Sequence, residues 1–355
     1  MKKILYIMNV DWNWIKQRPH FLAERLSSKF DVTIAYQYRY NRKKLQKRSV
    51  GDLNLRPIYL IPKISGISCL SWINTKIMAN KIMKIINDNP PDIIFLTYPS
   101  QIDFIPVNFS GKIFYDCMDN HSSFIQNIRE RNLVELKEKE LVNKATKVFV
   151  SSEYLRIGIS QRYQVNIDKF ILVRNAYDGN IIEIENVSDD SFTVKLAYIG
   201  TISSWFDWET ILNVMKEMNN IELHLYGPID NTEIPNNNRI YYHGILEHHK
   251  LYETIKYMDI LVMPFILNDT INAVDPVKVY EYINFDKNII IRKYPEVERL
   301  GEYVYFYNNY LEFIHAIELI KESKKIKYSE SQRVKFLREN TWDSRVCDII
   351  RTMEL

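Results

Sequence analysis

The amino-acid sequence predicts an α/β protein built as two Rossmann-like parallel-sheet domains facing a cleft, and three observations carry that expectation. At 355 residues the chain is long for one core and comfortable for two. Short apolar, β-branched runs alternate with helical stretches, the pattern of repeated βα units around a parallel sheet. The series restarts halfway along the chain.

In the first half the runs are ILYIM (4–8), VTIAY (32–36), DIIFLT (92–97), KIFYD (112–116), KVFVS (147–151) and FILV (170–173). In the second they are VKLAYIG (194–200), IELHLYG (221–227), RIYYHG (239–244), DILVMP (259–264), NIIIR (288–292) and YVYFY (303–307). The stretch NAYDGNIIEIENVSDDSF between them is polar and turn-rich and reads as an inter-domain linker. The expected domains are residues 1–175 and 176–339, with a helical tail of about 340–355, holding Trp342, packed back on the first. Open parallel sheets bind ligands beyond the carboxyl ends of their strands, so function is expected in the loops after these runs.

Composition narrows the class. No run approaches the ~18 apolar residues of a membrane span. The start, MKKILYIMNV, meets Asp11, Trp12 and Asn13 without a small-residue cleavage site and reads as a first strand. Cys69, Cys117 and Cys347 are odd in number and lack CxxC spacing, against both a disulfide framework and a zinc site; a reducing cytoplasm is expected. Residues 1–170 hold 27 Lys and Arg against 15 Asp and Glu, whereas residues 171–355 hold 20 against 29. Such a bias favours an anionic partner for the first domain, and the basic segment YRYNRKKLQKR (38–48), with the amphipathic stretch 64–86 around Trp72, points to peripheral docking on the inner face of a membrane. A solvated basic face is the plainer alternative. No nucleic-acid-binding motif is evident, and no nucleic acid partner is expected.

The most informative motif is Asp275-Pro276-Val277-Lys278-Val279-Tyr280-Glu281-Tyr282. Asp275 suits an N-cap and Pro276 the first helical position, which puts Lys278 in the first turn, where free backbone N–H groups and the helix dipole attract an anion such as a diphosphate. Glu281, three residues on, shares the face of Lys278, and its carboxylate can accept hydrogen bonds from two ribose hydroxyls. The alternative on spacing alone is a Lys278–Glu281 surface pair. Asp116, Asp119 and His121 in YDCMDNH end a strand of the first half; Asp119 is the candidate general base or, alternatively, the cap of a helix near Ser122. In the loop Asp11–His20, Trp12 and Trp14 offer faces for sugar stacking, while Arg18 and His20 offer contacts to acceptor or phosphate; the alternative is that the tryptophans pack in the core. Tyr226, Gly227, His243, Gly244 and Ile245 end strands of the second half and are expected to line a base pocket.

PVKVYEY with its following strand resembles the donor-binding motif of GT-B glycosyltransferases of the family 4 type. In order and position, DWNWIKQRPHFLAERL (11–26), YDCMDNHSSF (115–124), VSSEYL (150–155), VRNAYD (173–178) and YIGTISSWFDWETI (198–211) resemble a bacterial branch of that family making cell-surface polysaccharides. The resemblance implies a two-lobed GT-B fold with a first domain for the acceptor and a second for a nucleotide-sugar donor. It also implies Glu281 on ribose, Lys278 on the diphosphate, with Pro276 and Val277 beside them, and Gly200-Thr201 as the loop approaching the phosphates. Acceptors of the branch are glycans or lipid-linked. Two departures stand out: Ala273 occupies the place of the first glutamate of the family pair, and ISSWFDW supplies no cation after the glycine loop. Both are shared with the likeness to the xanthan glucuronosyltransferase branch, in which the position of Asp119 is the proposed base. A retaining enzyme would need no such base. No DxD motif is present and no metal or cofactor is expected, a lysine and helix termini replacing Mg²⁺. A GT-B epimerase needs no acceptor, and a degenerate GT-B lobe acting as a binding partner needs no turnover; product analysis separates them. A dinucleotide-dependent dehydrogenase is disfavoured, since no GxGxxG follows an early strand.

Overall fold

Apolar runs too short for helices and flanked by turn residues become the strands of two all-parallel sheets. The computed structural model describes residues 1–38, 53–62, 69–185, 192–247 and 250–354. In the first unit the strands are β1 (Lys3–Met8), β2 (Asp31–Tyr38), β3 (Asn54–Tyr59), β4 (Ile93–Leu96), β5 (Lys112–Cys117), β6 (Lys147–Val150) and β7 (Phe170–Leu172). Their order is β3-β2-β1-β4-β5-β6-β7, and α1 (Arg18–Leu26), α2 (Cys69–Asp88), α3 (Ile128–Lys144) and α4 (Glu153–Tyr163) connect them. An aromatic row crosses this sheet: Tyr6 stacks on Phe95 at 5.0 Å, and Phe95 and Phe114 pack on Phe149 at 5.7 and 5.8 Å. Each such buried side chain contributes roughly 1.5–3 kcal/mol over its exposed state, which is why the centre of the sheet reads so clearly in the sequence.

The strand that the runs did not announce is β3, NLRPIY. It pairs only with β2, at the sheet edge, and carries Arg56 and Pro57. Proline lacks the N–H that a central strand needs, so an edge position accepts it where periodicity alone argues against a strand.

The second unit repeats the plan with β8 (Val194–Ile199), β9 (Ile221–Tyr226), β10 (Ile240–Tyr242), β11 (Ile260–Met263), β12 (Asn288–Arg292) and β13 (Tyr305–Tyr307), ordered β10-β9-β8-β11-β12-β13. Its helices are α5 (Trp208–Glu217), α6 (Leu251–Ile255), α7 (Asp269–Asn272), α8 (Val277–Asn284), α9 (Tyr310–Ser323) and α10 (Glu330–Glu339). The last helix, α11 (Trp342–Glu354), groups with the first unit. There Trp342 stacks on Phe21 at 4.9 Å, and Lys112 Nζ donates to the Met353 carbonyl at 3.3 Å.

The units comprise Met1–Arg174 with Trp342–Leu355, and Asn175–Thr341. The turn-rich stretch read as a linker begins at this division, and its described part is hydrogen-bonded within the second unit. Tyr177 N–H donates to Asn340 O at 2.8 Å, Ile182 N–H to Asn284 Oδ1 at 3.2 Å, and Glu185 N–H to Tyr252 Oη at 2.9 Å, all within the second unit. Its Asn, Asp and Gly content reflects irregular backbone satisfied by specific partners rather than solvated slack. Most of the basic segment 38–48, and the end of the stretch at 186–191, lie outside the described residues.

Candidate functional site

In each sheet the strand order reverses beside its first strand, between β1 and β4 and between β8 and β11. Neighbouring connections leave to opposite faces at such a point, opening a crevice beyond the carboxyl ends. In the second unit the loops that flank it are Gly200–Thr201, after β8, and the segment after β11 that leads into α8.

Three strands end there on glycine. Gly200 N–H donates to the Tyr226 carbonyl at 2.9 Å, Gly227 N–H to the Gly244 carbonyl at 2.8 Å, and Tyr242 Oη to the Gly227 carbonyl at 2.9 Å. A Cβ on Gly227 would lie 1.9 Å from the Gly200 carbonyl oxygen, and its φ of +146° also disfavours side chains. Backbone thus meets backbone along this edge, which leaves no room for a side chain at Gly227. Thr201 is partly exposed, with its carbonyl accepting from Tyr198 Oη at 3.0 Å. Tyr226 is buried under the His243 ring, stacked at 4.6 Å, while Ile245 is 73% exposed beyond Gly244.

Helix α8 is tied to this edge, since Ile199 N–H donates to the buried Tyr282 Oη at 2.8 Å. The helix starts one residue later than its sequence suggests: Pro276, buried, is the N-cap and Val277, 40% exposed, is the first helical residue. Asp275 is not the cap, which corrects that expectation. Its carboxylate, 1% exposed as a residue, instead accepts from Asn175 N–H at 2.7 Å and Tyr280 Oη at 3.1 Å and pairs with Arg299. These partners occupy the carboxylate that would otherwise cap the helix. Lys278 remains in the first turn and its Nζ donates to Glu281 Oε2 at 2.7 Å, with side-chain exposures of 33% and 15%. A cation at a helix N-terminus is opposed by the dipole, and the Glu281 carboxylate offsets it. Ala273 is buried, at 1% exposure.

In the first unit, β5 ends in Asp116 and Cys117. Asp116 is fully buried and accepts from Arg18 Nε to both oxygens at 3.0 Å and from Nη2 at 2.7 Å; Arg18 Nη1 also donates to the Val173 carbonyl. The Asp119 carboxylate receives no hydrogen bond from the described residues, and the 3-10 turn His121–Phe124 has Asn120 at its N-cap, so Asp119 is no cap. Burial, partly offset by Arg18 and reinforced by Asp116, pushes its pKa up to about 6. The loop around it is fixed by Cys117 Sγ donating to the Asp119 carbonyl and by Ser151 Oγ on Met118 O at 2.7 Å. His121 is 7% exposed, lies edge-on to Tyr98 at 4.9 Å, and has no partner for Nε2 among the described residues. Burial lowers its pKa to about 4 and keeps it neutral.

The loop Asp11–His20 departs from expectation. Trp12 is 2% exposed and His20 fully buried, with His20 Nδ1 accepting from Gln17 N–H and Nε2–H donating to the Trp12 carbonyl, both at 3.2 Å. Together with the Arg18–Asp116 pair, these bonds turn Trp12, Arg18 and His20 inward as supports for the loop rather than contacts for an acceptor or phosphate. Trp14 alone of the four keeps partial exposure. Arg299, which pairs with Asp275, lies outside every motif read from the sequence, and Tyr282 closes the motif 275–282 with no signal there of its hydrogen bond to Ile199.

Solved structures match this architecture over its whole length. The lipopolysaccharide outer core galactosyltransferase WaaB, apo form, superposes with a TM-score of 0.69 at 11% identity, over 99% of this chain and 99% of that one. The Anabaena protein HepE in complex with UDP-glucose gives 0.65 at 10% identity, over 100% of this chain and 98% of that one. The fold is GT-B. In sequence, this GT-B chain is 20% identical over 235 residues to TuaH of Bacillus subtilis (strain 168), assigned as a teichuronic acid biosynthesis glycosyltransferase. The match spans 61% of this chain and 58% of TuaH. No protein-family model matches the chain. Among the described residues no helix of this GT-B protein is long and apolar enough to cross a membrane, and no cluster of three or more His, Cys, Asp or Glu is arranged to hold a metal ion.

Proposed function

We propose that the protein is a metal-independent glycosyltransferase that takes a sugar from a UDP-sugar held by its second unit and delivers it to a glycan or lipid-linked acceptor in bacterial surface-polysaccharide synthesis. The observation that carries this reading is α8: it bears Lys278 in its first turn and Glu281 one turn on, and is tied through Tyr282 to the strand that leads into Gly200 at the sheet's switch point. That edge combines closely packed glycine backbone with an anion-attracting helix start and a lysine–glutamate pair. HepE bound to UDP-glucose and TuaH of teichuronic acid synthesis support the donor class and the pathway class.

In this reading the nucleotide divides the Lys278–Glu281 pair. Ribose hydroxyls donate to Glu281, and Lys278 turns to the diphosphate, where it stabilises the charge that develops on the leaving group. Asp119, raised to about 6, is ionised at neutral pH yet still basic enough to take the acceptor hydroxyl proton, which makes the reaction inverting. The family 4 and xanthan-branch affinities are part of the same proposal. Calorimetry tests the donor site. Glu281→Gln should weaken UMP and UDP alike by ~1.5–3 kcal/mol, the range of charged hydrogen bonds, while Lys278→Ala should weaken UDP more than UMP. Chelator should alter neither binding nor rate. Wild-type affinity in both variants would move the donor site away from α8.

Peripheral membrane docking belongs to the proposal as well. On α2, Trp72 is 61% exposed with Lys76 Nζ 3.8 Å from its ring centroid, and Lys81, Met83 and Lys84 are also exposed. An aromatic ring among lysines suits an anionic interface, and ~1 kcal/mol per cation gives reversible attachment. The protein should sediment with phosphatidylglycerol vesicles at low salt and be released at high salt; equal sedimentation with neutral vesicles would end this part of the reading.

A further inference from the structure

We infer that Asp275 and Arg299 are positioning residues for the donor helix, setting the first turn of α8 so that Lys278 and its free N–H groups meet the nucleotide. The inference rests on α8 as the donor helix. Its own N-cap, Pro276, offers no side-chain hydrogen bond, so the start of the helix is fixed from the residues before it. Asn175 reads Asp275 twice, its N–H donating to Oδ2 at 2.7 Å and its Nδ2 to the carbonyl at 2.8 Å. Arg299 pairs with Oδ1 and donates to Tyr280 Oη at 3.0 Å, and that hydroxyl donates on to Oδ2 at 3.1 Å. Tyr294 Oη holds the Val274 carbonyl at 3.2 Å. The turn is thereby held from Asn175, Tyr280, Tyr294 and Arg299 at once.

Docking of α8 needs none of this. Val279, Tyr280, Tyr282 and Ile283 are wholly buried, and the far end is held separately by Arg333, whose Nη1 donates to the Asn284 carbonyl at 2.7 Å. What the Asp275 network adds is confined to the turn three residues ahead of Lys278. A displacement of ~1 Å there is enough to cost up to about a hundredfold in a reaction that depends on alignment. Arg333 supplies the contrast, a buried arginine of α10 that holds the end of α8 carrying no proposed ligand contact.

The test compares Arg299→Met, Arg299→Lys and Arg333→Met by UDP calorimetry and by amide hydrogen exchange. Arg299→Met should raise the UDP Kd about tenfold, a part of that misalignment cost, and speed exchange at Asn175 and Val277–Val279 while the strands of the second unit keep their protection. Arg299→Lys should restore most of both, because a single nitrogen of Arg299 makes both contacts and an ammonium can replace it. Arg333→Met should loosen the far end of α8 and leave UDP affinity within about twofold, since it lies away from the aligned turn. Unchanged exchange at Asn175 and Val277–Val279 in Arg299→Met, or equal weakening of UDP by Arg333→Met, would overturn the inference. If the wild-type protein binds no UDP, the donor reading falls, and the exchange pattern still decides whether Arg299 sets the turn.

Discussion

Asp119→Asn should lower the transfer rate by ~10²–10⁴-fold while UDP affinity stays within about twofold, because a base acts on the acceptor hydroxyl and not on the nucleotide. The wild-type rate should rise with pH through about 6, the value to which burial pushes this carboxyl. That limb falls where an ordinary histidine titrates, but the one histidine beside Asp119 on this loop, His121, is held down to about 4 by its own burial and is neutral throughout the limb. Asparagine should abolish the limb. Stability separates chemistry from unfolding. An unfolded aspartate ionises near 3.8 and Asp119 near 6, so between these values the folded state holds the extra proton. Its stability contribution is therefore full below the unfolded value and lost as pH rises through the folded one. Asparagine carries no such penalty, and the variant should be at least as stable as the wild type at pH 8. Near wild-type turnover, or a limb that survives the substitution, removes Asp119 from the reaction.

Arg18→Met should destabilise the first unit by ~3–5 kcal/mol, the cost of leaving a buried carboxylate without its cation. Asp116 is fully buried and takes three hydrogen bonds from this guanidinium, and the Val173 carbonyl loses its donor as well. Adding Asp116→Leu should recover much of the loss, since a matched apolar pair replaces a charged one at little net cost. UDP affinity should stay within about twofold in both variants, because Arg18 is turned to Asp116 rather than to a phosphate. Arg18 also holds the Asp119 pKa down, so its removal should move the activity limb to higher pH. Urea unfolding of the variants checks the first expectation, and a UDP affinity lost tenfold would restore Arg18 to the phosphate site.

The fold class was legible because burial imposes it locally. Every strand of both sheets except β3 coincides with a run visible in the sequence, since a strand covered on both faces must be apolar throughout. β3 escaped because an edge strand is half solvated and tolerates Arg56 and Pro57. The start of α8 was legible to within one residue, because proline and the apolar spacing that follows restrict where a helix begins.

The side chains at the strand ends were legible as candidates and not as roles. Asp116 and Asp119 share one short loop, yet one is locked to Arg18 and the other's carboxylate takes no hydrogen bond among the described residues. Asp275 looks like a cap beside Pro276, yet its partners are Asn175, 100 residues earlier, and Arg299, 24 later. Periodicity reports which side of a local element is apolar. Whether a given carboxylate meets a guanidinium depends on which strand lies beside which, and in what register, and those distances along the chain carry no local signature. By itself the sequence determined two βα series whose strands end in glycine or in acidic and aromatic residues. The tertiary structure alone decided which of those residues spend their charge on one another, as Arg18 and Asp116 do, and which, like Asp119, take no hydrogen bond from the described residues, because those pairings depend on contacts distant along the chain.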